Sequence, residues 1–156
     1  MNKILVSYFS ASGTTRKVAE KVASIINGDL FEIEPVNKYT DADLNWNDRN
    51  SRSSIEMNDK TSRPEIKNKV SNLSDYDTVL IGFPVWWDLA PTIINTFIEE
   101  NNLENKNVYV FATSGGSSVN NSFNTLKNTY SNINFISAKR LSSNLDESDV
   151  TSWIEM

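Results

Sequence analysis

Cysteine and histidine are both absent from this 156-residue chain. Without cysteine there is no disulfide, no thiolate metal site and no thiol nucleophile. Without histidine there is no Ser–His–Asp triad, no imidazole metal ligand and no ordinary acid–base shuttle at neutral pH. Long apolar runs are missing too. Nothing approaches the roughly 18 residues of a membrane span, and the opening "MNKILVSYFS" has too short an apolar core for a signal peptide, so a cytoplasmic protein is expected. Basic charge is in deficit: 15 Lys and Arg stand against 20 Asp and Glu, for a net charge of −5. That balance disfavours nucleic acid and anionic membrane surfaces as partners, since both select for a basic face. The length fits one domain, 1–156. A domain of this size buries roughly 70% of its unfolded surface and folds without covalent or metal staples.

What is present is an alternation. "KILVSYF" (3–9) reads as a buried strand, and residues 14–26 carry Val18, Val22, Ile25 and Ile26 on one helical face, backed by Ala19 and Ala23. Asn27-Gly28 supplies the helix stop. Further strands are expected at "LFEIEPV" (30–36), "DTVLIGFP" (77–84), "NVYVFAT" (107–113) and "INFISAKRL" (133–141). Further helices are expected over 91–100, with Pro91 in the first turn and Ile93, Ile94, Phe97 and Ile98 as the stripe, over 119–130, and over 146–155. Apolar strands alternating with helices predict an α/β protein, a parallel sheet with helices on both faces. If the sheet is doubly wound, its ligand belongs beyond the carboxyl ends of the strands, at the switch point, which directs attention to the loops after strands one, three and four. One segment, 37–62, has no clear period and no long apolar stripe. A loop of that length inside a compact domain is usually functional or conceals a short element. Weak helical periodicity resumes at Ile66, Val70 and Leu73, after Pro64.

The loop after the first strand crowds Ser10, Ser12, Gly13, Thr14 and Thr15 before a helix. The free N–H groups and positive dipole end of a helix amino terminus favour an anion, the hydroxyls add donors, and Gly13 permits close backbone approach. A terminal phosphate suits such a loop, although an ordinary Ser/Thr helix cap accounts for the same residues. The Walker lysine is missing, and so are the glycines of the dinucleotide fingerprint. The second loop, "GFPVWWDLAP" (82–91), sets Trp86 and Trp87 directly after a buried strand, where indoles can cover something flat or pack inward as core. In the third, "ATSGGSSVNNS" (112–122), Thr113 and Ser114 precede Gly115 and Gly116, a pattern able to offer N–H groups to a ring edge and common in plain βα turns.

Taken together the three loops describe a ligand with a phosphate, a planar aromatic system and a polar ring edge. With Ser10-x-Ser12-Gly13-x-Thr15, "GFPVWW" and "TSGG" in register, the chain resembles the flavodoxins along its whole length, in particular a subgroup with a Trp-Trp loop and an extended segment like 37–62. That resemblance implies a flavodoxin-like doubly wound five-stranded parallel sheet of order 2-1-3-4-5 with helices on both faces. It implies non-covalent FMN, with the phosphate at Ser10, Ser12, Gly13, Thr14 and Thr15. The ring is then expected beside Pro84, Val85, Trp86, Trp87, Thr113, Ser114, Gly115 and Gly116, with Trp86 as the favoured stacking partner. Electron transfer with redox partner proteins, a reductase and an acceptor, is the leading function. The alternatives are an FMN-dependent NAD(P)H (quinone) oxidoreductase and a flavin-free binding module on the same fold.

Two departures from the family pattern carry expectations. Many flavodoxins place in the stacking loop a glycine whose peptide turns over with the redox state of the flavin. Here no glycine lies between Phe83 and Ser114, so positive φ at Trp87–Asp88 is expected to cost on the order of 1 kcal/mol. The third loop lacks the Tyr often used as a second ring cover, which leaves one face to aliphatic groups or to segment 37–62. "DADLN" (41–45) is no calcium loop, because Trp46 and Arg52 replace the required Gly and Glu. "LVSYFS" and "LIGFPV" offer no acidic cluster for a response-regulator site.

Overall fold

The computed structural model describes residues 3–113 and 118–154. Five strands form one all-parallel sheet: β1 (Ile4–Tyr8), β2 (Asp29–Glu32), β3 (Thr78–Pro84), β4 (Asn107–Thr113) and β5 (Asn134–Arg140), in the order β2-β1-β3-β4-β5. The helices are α1 (Thr14–Ile26), α2 (Arg52–Asn58), α3 (Thr92–Glu100), α4 (Asn120–Thr129) and α5 (Glu147–Thr151). None of the described helices is long and apolar enough to cross a membrane.

The sheet is buried on both faces, and the period of two in its strands divides the core. Leu5, Val79, Ile81, Phe83, Val108 and Val110 pack toward Ile93, Ile94 and Phe97 of α3 and Leu126 of α4. Their neighbours Val6, Tyr8, Leu80 and Phe111 pack toward Val18, Ala19 and Val22 of α1 and Val150 of α5. Because both faces are covered, the central strands carry apolar residues at consecutive positions. Gly82 interrupts that run of side chains: a Cβ there would lie 2.1 Å from Phe111 Cζ, so the Phe111 ring occupies the space.

Three expectations change. β2 stops at Glu32 instead of reaching 36. Its line is prolonged by Ile33 N–H donating to Tyr8 O at 2.7 Å, after which Pro35, which has no N–H, pairs only as an isolated antiparallel bridge with Ile66. No helix forms over Ile66–Leu73. There the chain is held by Val36 N–H to Glu65 O and Lys67 N–H to Glu34 O, and a single 3-10 turn covers Leu73–Asp75, while Ile66, Val70 and Leu73 still pack on the core. The last helix ends at Thr151, not 155. It begins with a capping box in which Asp146 and Asp149 each accept the other's backbone N–H.

Segment 37–62, here called the strap, conceals α2. Ser51 caps it, its hydroxyl accepting from Ser54 N–H, and Ser53 N–H reaches back to Asp43 O at 2.9 Å. The strap is fastened by a small cluster. Tyr39 O–H donates to Glu56 Oε1 at 2.5 Å, Arg52 Nε donates to Glu56 Oε2 at 2.9 Å, and the Arg52 guanidinium lies 3.7 Å over the Tyr39 ring. Burial and this hydrogen bond raise the Tyr39 pKa well above the ordinary tyrosine value, so the phenol remains a donor.

Candidate functional site

Beyond their ladders, β1, β3 and β4 stay tied at their carboxyl ends. Phe9 N–H donates to Gly82 O at 2.9 Å, and Val85 N–H donates to Thr113 O at 3.2 Å. The first and second predicted loops and the end of β4 therefore leave the sheet side by side, at the switch point between β1 and β3.

In the first loop Gly13 is the N-cap of α1 with φ 96, and no side chain caps the helix. Ser10 Oγ instead accepts Gly13 N–H at 3.1 Å. Ser10 is thus committed to shaping the loop, and the N–H groups of the first turn of α1, which have no partner inside a helix, are left to the loop's outer side. Ser12 and Thr14 are exposed and Thr15 is buried. Thr15 Oγ1 lies 2.8 Å from Thr113 Oγ1, a bond that fastens the phosphate-type loop to the end of β4. Arg16, in the first turn, points toward Glu20 (3.6 Å) and Glu32 (3.9 Å), while Lys21 Nζ donates to the carbonyl of Ser143.

The second loop is a two-residue hairpin turn. Trp86 N–H donates to Leu89 O and Leu89 N–H donates back to Trp86 O, at 2.8 and 2.9 Å. Trp87 (φ 47) and Asp88 (φ 65) both hold positive φ, the type I′ pattern usually built from Asn and Gly. The expected resistance of these non-glycine residues is therefore overcome in this state, with help from Asn121 Nδ2, which donates to Asp88 O at 3.3 Å. Tertiary packing holds Trp86 edge-to-face against Phe9 (5.7 Å) and Tyr39 (5.5 Å), half-buried, whereas Trp87 is 48% exposed.

These loops meet in a depression of about 430 Å³. Ser12, Thr14 and Thr15 line it from the first loop, Pro84, Val85 and Trp86 from the second, and Thr113 from β4. Ser10, Gly13 and Trp87 are not part of its wall. Ser114, Gly115 and Gly116 lie outside the described residues. Among the described residues Leu141, Ser142 and Ser143 also line it, and the sequence analysis does not name them. The rule that selected the other loops also applies to them, since they follow the carboxyl end of β5. The donor set of hydroxyls and uncapped helix N–H groups fits a phosphate, and the adjoining indole fits a planar ring.

Comparison with known proteins agrees with this geometry. The flavodoxin family profile matches residues 3–156. A solved structure of a candidate flavoprotein from Bacteroides eggerthii is 52% identical, covering 99% of this chain and 97% of its own, with a TM-score of 0.97. A flavoprotein from Lactobacillus acidophilus, solved in complex with FMN, is 30% identical over 98% of this chain and 99% of its own, with a TM-score of 0.78. An archaeal flavodoxin, 15% identical with a TM-score of 0.57 and 99% coverage of both chains, shares the fold. Comparison with curated proteins gives no match. The sheet order, the switch-point depression and the profile match across nearly every residue lead to one conclusion: this chain belongs to the flavodoxin family.

Proposed function

We propose that the protein binds FMN and carries electrons between a reductase and an acceptor protein. The observation that carries this reading is the meeting, in one depression, of the uncapped hydroxyl-lined end of α1 with the tryptophan turn. The FMN bound by the Lactobacillus acidophilus flavoprotein supports it. In this reading Ser12 and Thr14, with the first-turn N–H groups, hold the phosphate. Thr15 and Thr113 keep that loop in register with β4, and the turn at Trp86–Trp87 takes the ring. Bound flavin supplies the redox chemistry, while the chain's own residues position it and shield it from water.

Purified protein should be yellow, with flavin absorbance and close to one FMN per chain. Ser12→Ala and Thr14→Ala should each weaken FMN about tenfold, the loss of one hydrogen bond to a charged group. Riboflavin, which lacks the phosphate, should bind the variants and the unaltered protein alike. Equal losses for both ligands would remove the phosphate assignment. An NAD(P)H-dependent quinone oxidoreductase is the second reading, favoured by the hollow of about 300 Å³ that Leu44, Trp46 and Trp87 wall beside the same turn. Steady-state NAD(P)H oxidation with a quinone separates the two, since sustained turnover belongs to the enzyme.

A further inference from the structure

A cavity of about 420 Å³ lies between the end of the strap, the start of α3 and α4. It shares no wall residue with the depression at the end of α1 or with the hollow beside the tryptophan turn, and the flavin reading leaves it unused. Its size falls within the roughly 300–1,000 Å³ of small-molecule sites. Met57, Leu89, Ala90 and Leu126 supply apolar lining. Lys60, Asn95 and Asn121 add polar groups to it. The walls are held in place. Ser62 Oγ donates to Glu56 O at 2.9 Å and lies 2.8 Å from Thr92 Oγ1, which joins the end of the strap to the first residue of α3. Arg63, also in the wall, is spent on structure. Its Nε donates to Glu99 Oε1 at 3.0 Å, and its Nη1 donates to the carbonyls of Lys60 and Ser62 at 3.0 and 2.7 Å. The backbone that carries Lys60 is therefore fixed.

The chemistry of the lining restricts the occupant. Among the described residues no carboxylate pairs with Lys60, and no Asp or Glu lines the cavity. The Asp59 carboxylate next to Lys60 in the chain is engaged by the N–H and hydroxyl of Thr61. An ammonium without a counter-charge in its own cavity selects an anion. The remaining polar groups narrow the choice. Asn95 Nδ2 donates to the Tyr130 hydroxyl at 3.1 Å, and Asn121 Nδ2 donates to Asp88 O at 3.3 Å. Ser122 and Thr129 turn their hydroxyls to the carbonyls of Val119 and Thr125, at 2.8 and 2.7 Å. The amide oxygens of Asn95 and Asn121 accept no hydrogen bond among the described residues, and each can take a donor. A matching ligand has a carboxylate for Lys60, an N–H or O–H for the two amides and a short apolar body for Leu89, Ala90 and Leu126. A bare inorganic anion would leave the apolar lining in water. An ammonium on the ligand would find no Asp or Glu, so the donor should be neutral.

We propose that this cavity binds a small carboxylate with an aliphatic body and an uncharged hydrogen-bond donor, of the N-acyl amino acid type, held at Lys60 and at the Asn95 and Asn121 amides. N-acetyl-L-leucine is the probe, titrated into the purified chain with FMN present and followed by NMR at the side-chain amides of Asn95 and Asn121. Both resonances should shift and saturate, while the indole N–H of Trp153, bonded to Ser137 Oγ at 2.9 Å on another part of the fold, stays in place. Lys60→Met should raise the dissociation constant about tenfold, the loss of one hydrogen bond to a charged group. Lys60→Arg should restore most of that loss, and FMN affinity should be the same in both variants. N-acetyl-L-leucinamide keeps the body and the donor but has no charge. It should bind the unaltered protein about tenfold more weakly than the acid, and it should bind Lys60→Met no more weakly than the unaltered protein. Acetate, which lacks the body, should also bind more weakly than the probe. These ligand comparisons need no substitution, so they decide the matter even where Lys60→Met fails to fold. The proposal is overturned if binding does not saturate, if the amide or acetate binds as tightly as the acid, if Lys60→Met weakens acid and amide alike, or if FMN displaces the probe. A failure of the flavin reading would be seen separately, as no FMN retained, and would leave the titration of this cavity unaffected.

Discussion

Gly13 and Gly82 resist substitution for opposite reasons. At Gly13 a Cβ would meet nothing within 4 Å, but φ is 96, a conformation that L side chains rarely adopt. Gly13→Ala should therefore lose about 1–2 kcal/mol through the backbone alone, and no neighbouring substitution should restore it. At Gly82 the obstacle is the Phe111 ring, 2.1 Å from the Cβ position. Gly82→Ala should lose about 1–3 kcal/mol by overpacking, and Phe111→Leu in the same chain should recover part of that loss. Urea unfolding of the two single variants and of each combined with Phe111→Leu checks both statements. Recovery at Gly13, or none at Gly82, would contradict the assigned causes. Trp87 and Asp88 show the other side of the same rule. They hold positive φ without being glycine, because paired hydrogen bonds across the turn and the Asn121 amide outweigh the strain.

At the level of elements, α3, the residue after the strap and the C-cap of α4 meet through one polar network. Arg63 Nε donates to Glu99 Oε1 at 3.0 Å, and Tyr130 O–H donates to Glu99 Oε2 at 2.6 Å. The Arg63 bond, followed by that of Tyr130, lowers the Glu99 pKa below its usual 4.5, while burial and Glu99 push Tyr130 up to about 12. A depressed carboxyl contributes stability that is present above its unfolded pKa and is lost as pH falls through the folded one. Thermal melts should therefore show the advantage of the unaltered protein over Glu99→Gln at pH 7 and its disappearance on acidification below about 4.5. The effect should be a fraction of about 1 kcal/mol, since the Glu99 side chain is 43% exposed. An advantage that does not shrink as pH falls below 4.5 would sink this account. Elements with a strong internal signal were legible in the sequence: the apolar runs of β1, β3 and β4 and the stripes of α1 and α3 are where periodicity placed them. α2 was not, because Ile55 is 56% exposed and Ser53 and Ser54 are its buried residues, an inversion that no apolar period reports. Ile66, Val70 and Leu73 misled in the opposite sense. Their spacing is helical, yet each is anchored to the core by irregular chain that follows Pro64. For the candidate site, position after a strand pointed to the first and second loops that meet in the depression, but not to which of their hydroxyls line it. That choice was made by long-range bonds such as Thr15–Thr113, 98 residues apart.

Across the whole molecule, the phosphate end of the proposed site stands in an acidic field. The chain carries a net −5; on α1, Arg16 is paired with Glu20 and Glu32, and Lys21 is engaged by the carbonyl of Ser143. A phosphate held by lysine or arginine binds more weakly as salt screens the attraction. Here the local donors are neutral hydroxyl and N–H groups, whose short-range bonds salt barely touches, while the long-range term is repulsion between an acidic protein and a dianionic ligand. Screening over a Debye length of about 8 Å at 0.15 M salt removes mainly that repulsion. FMN affinity should therefore stay level or rise up to about threefold between ~0.02 and ~0.3 M NaCl, and riboflavin, with no phosphate charge, should show no such trend. Fluorescence titration of both ligands across that range decides the matter. A several-fold loss of FMN affinity with salt would mean that a cation reaches the phosphate, and the hydroxyl-lined end of α1 would no longer be its sole anchor.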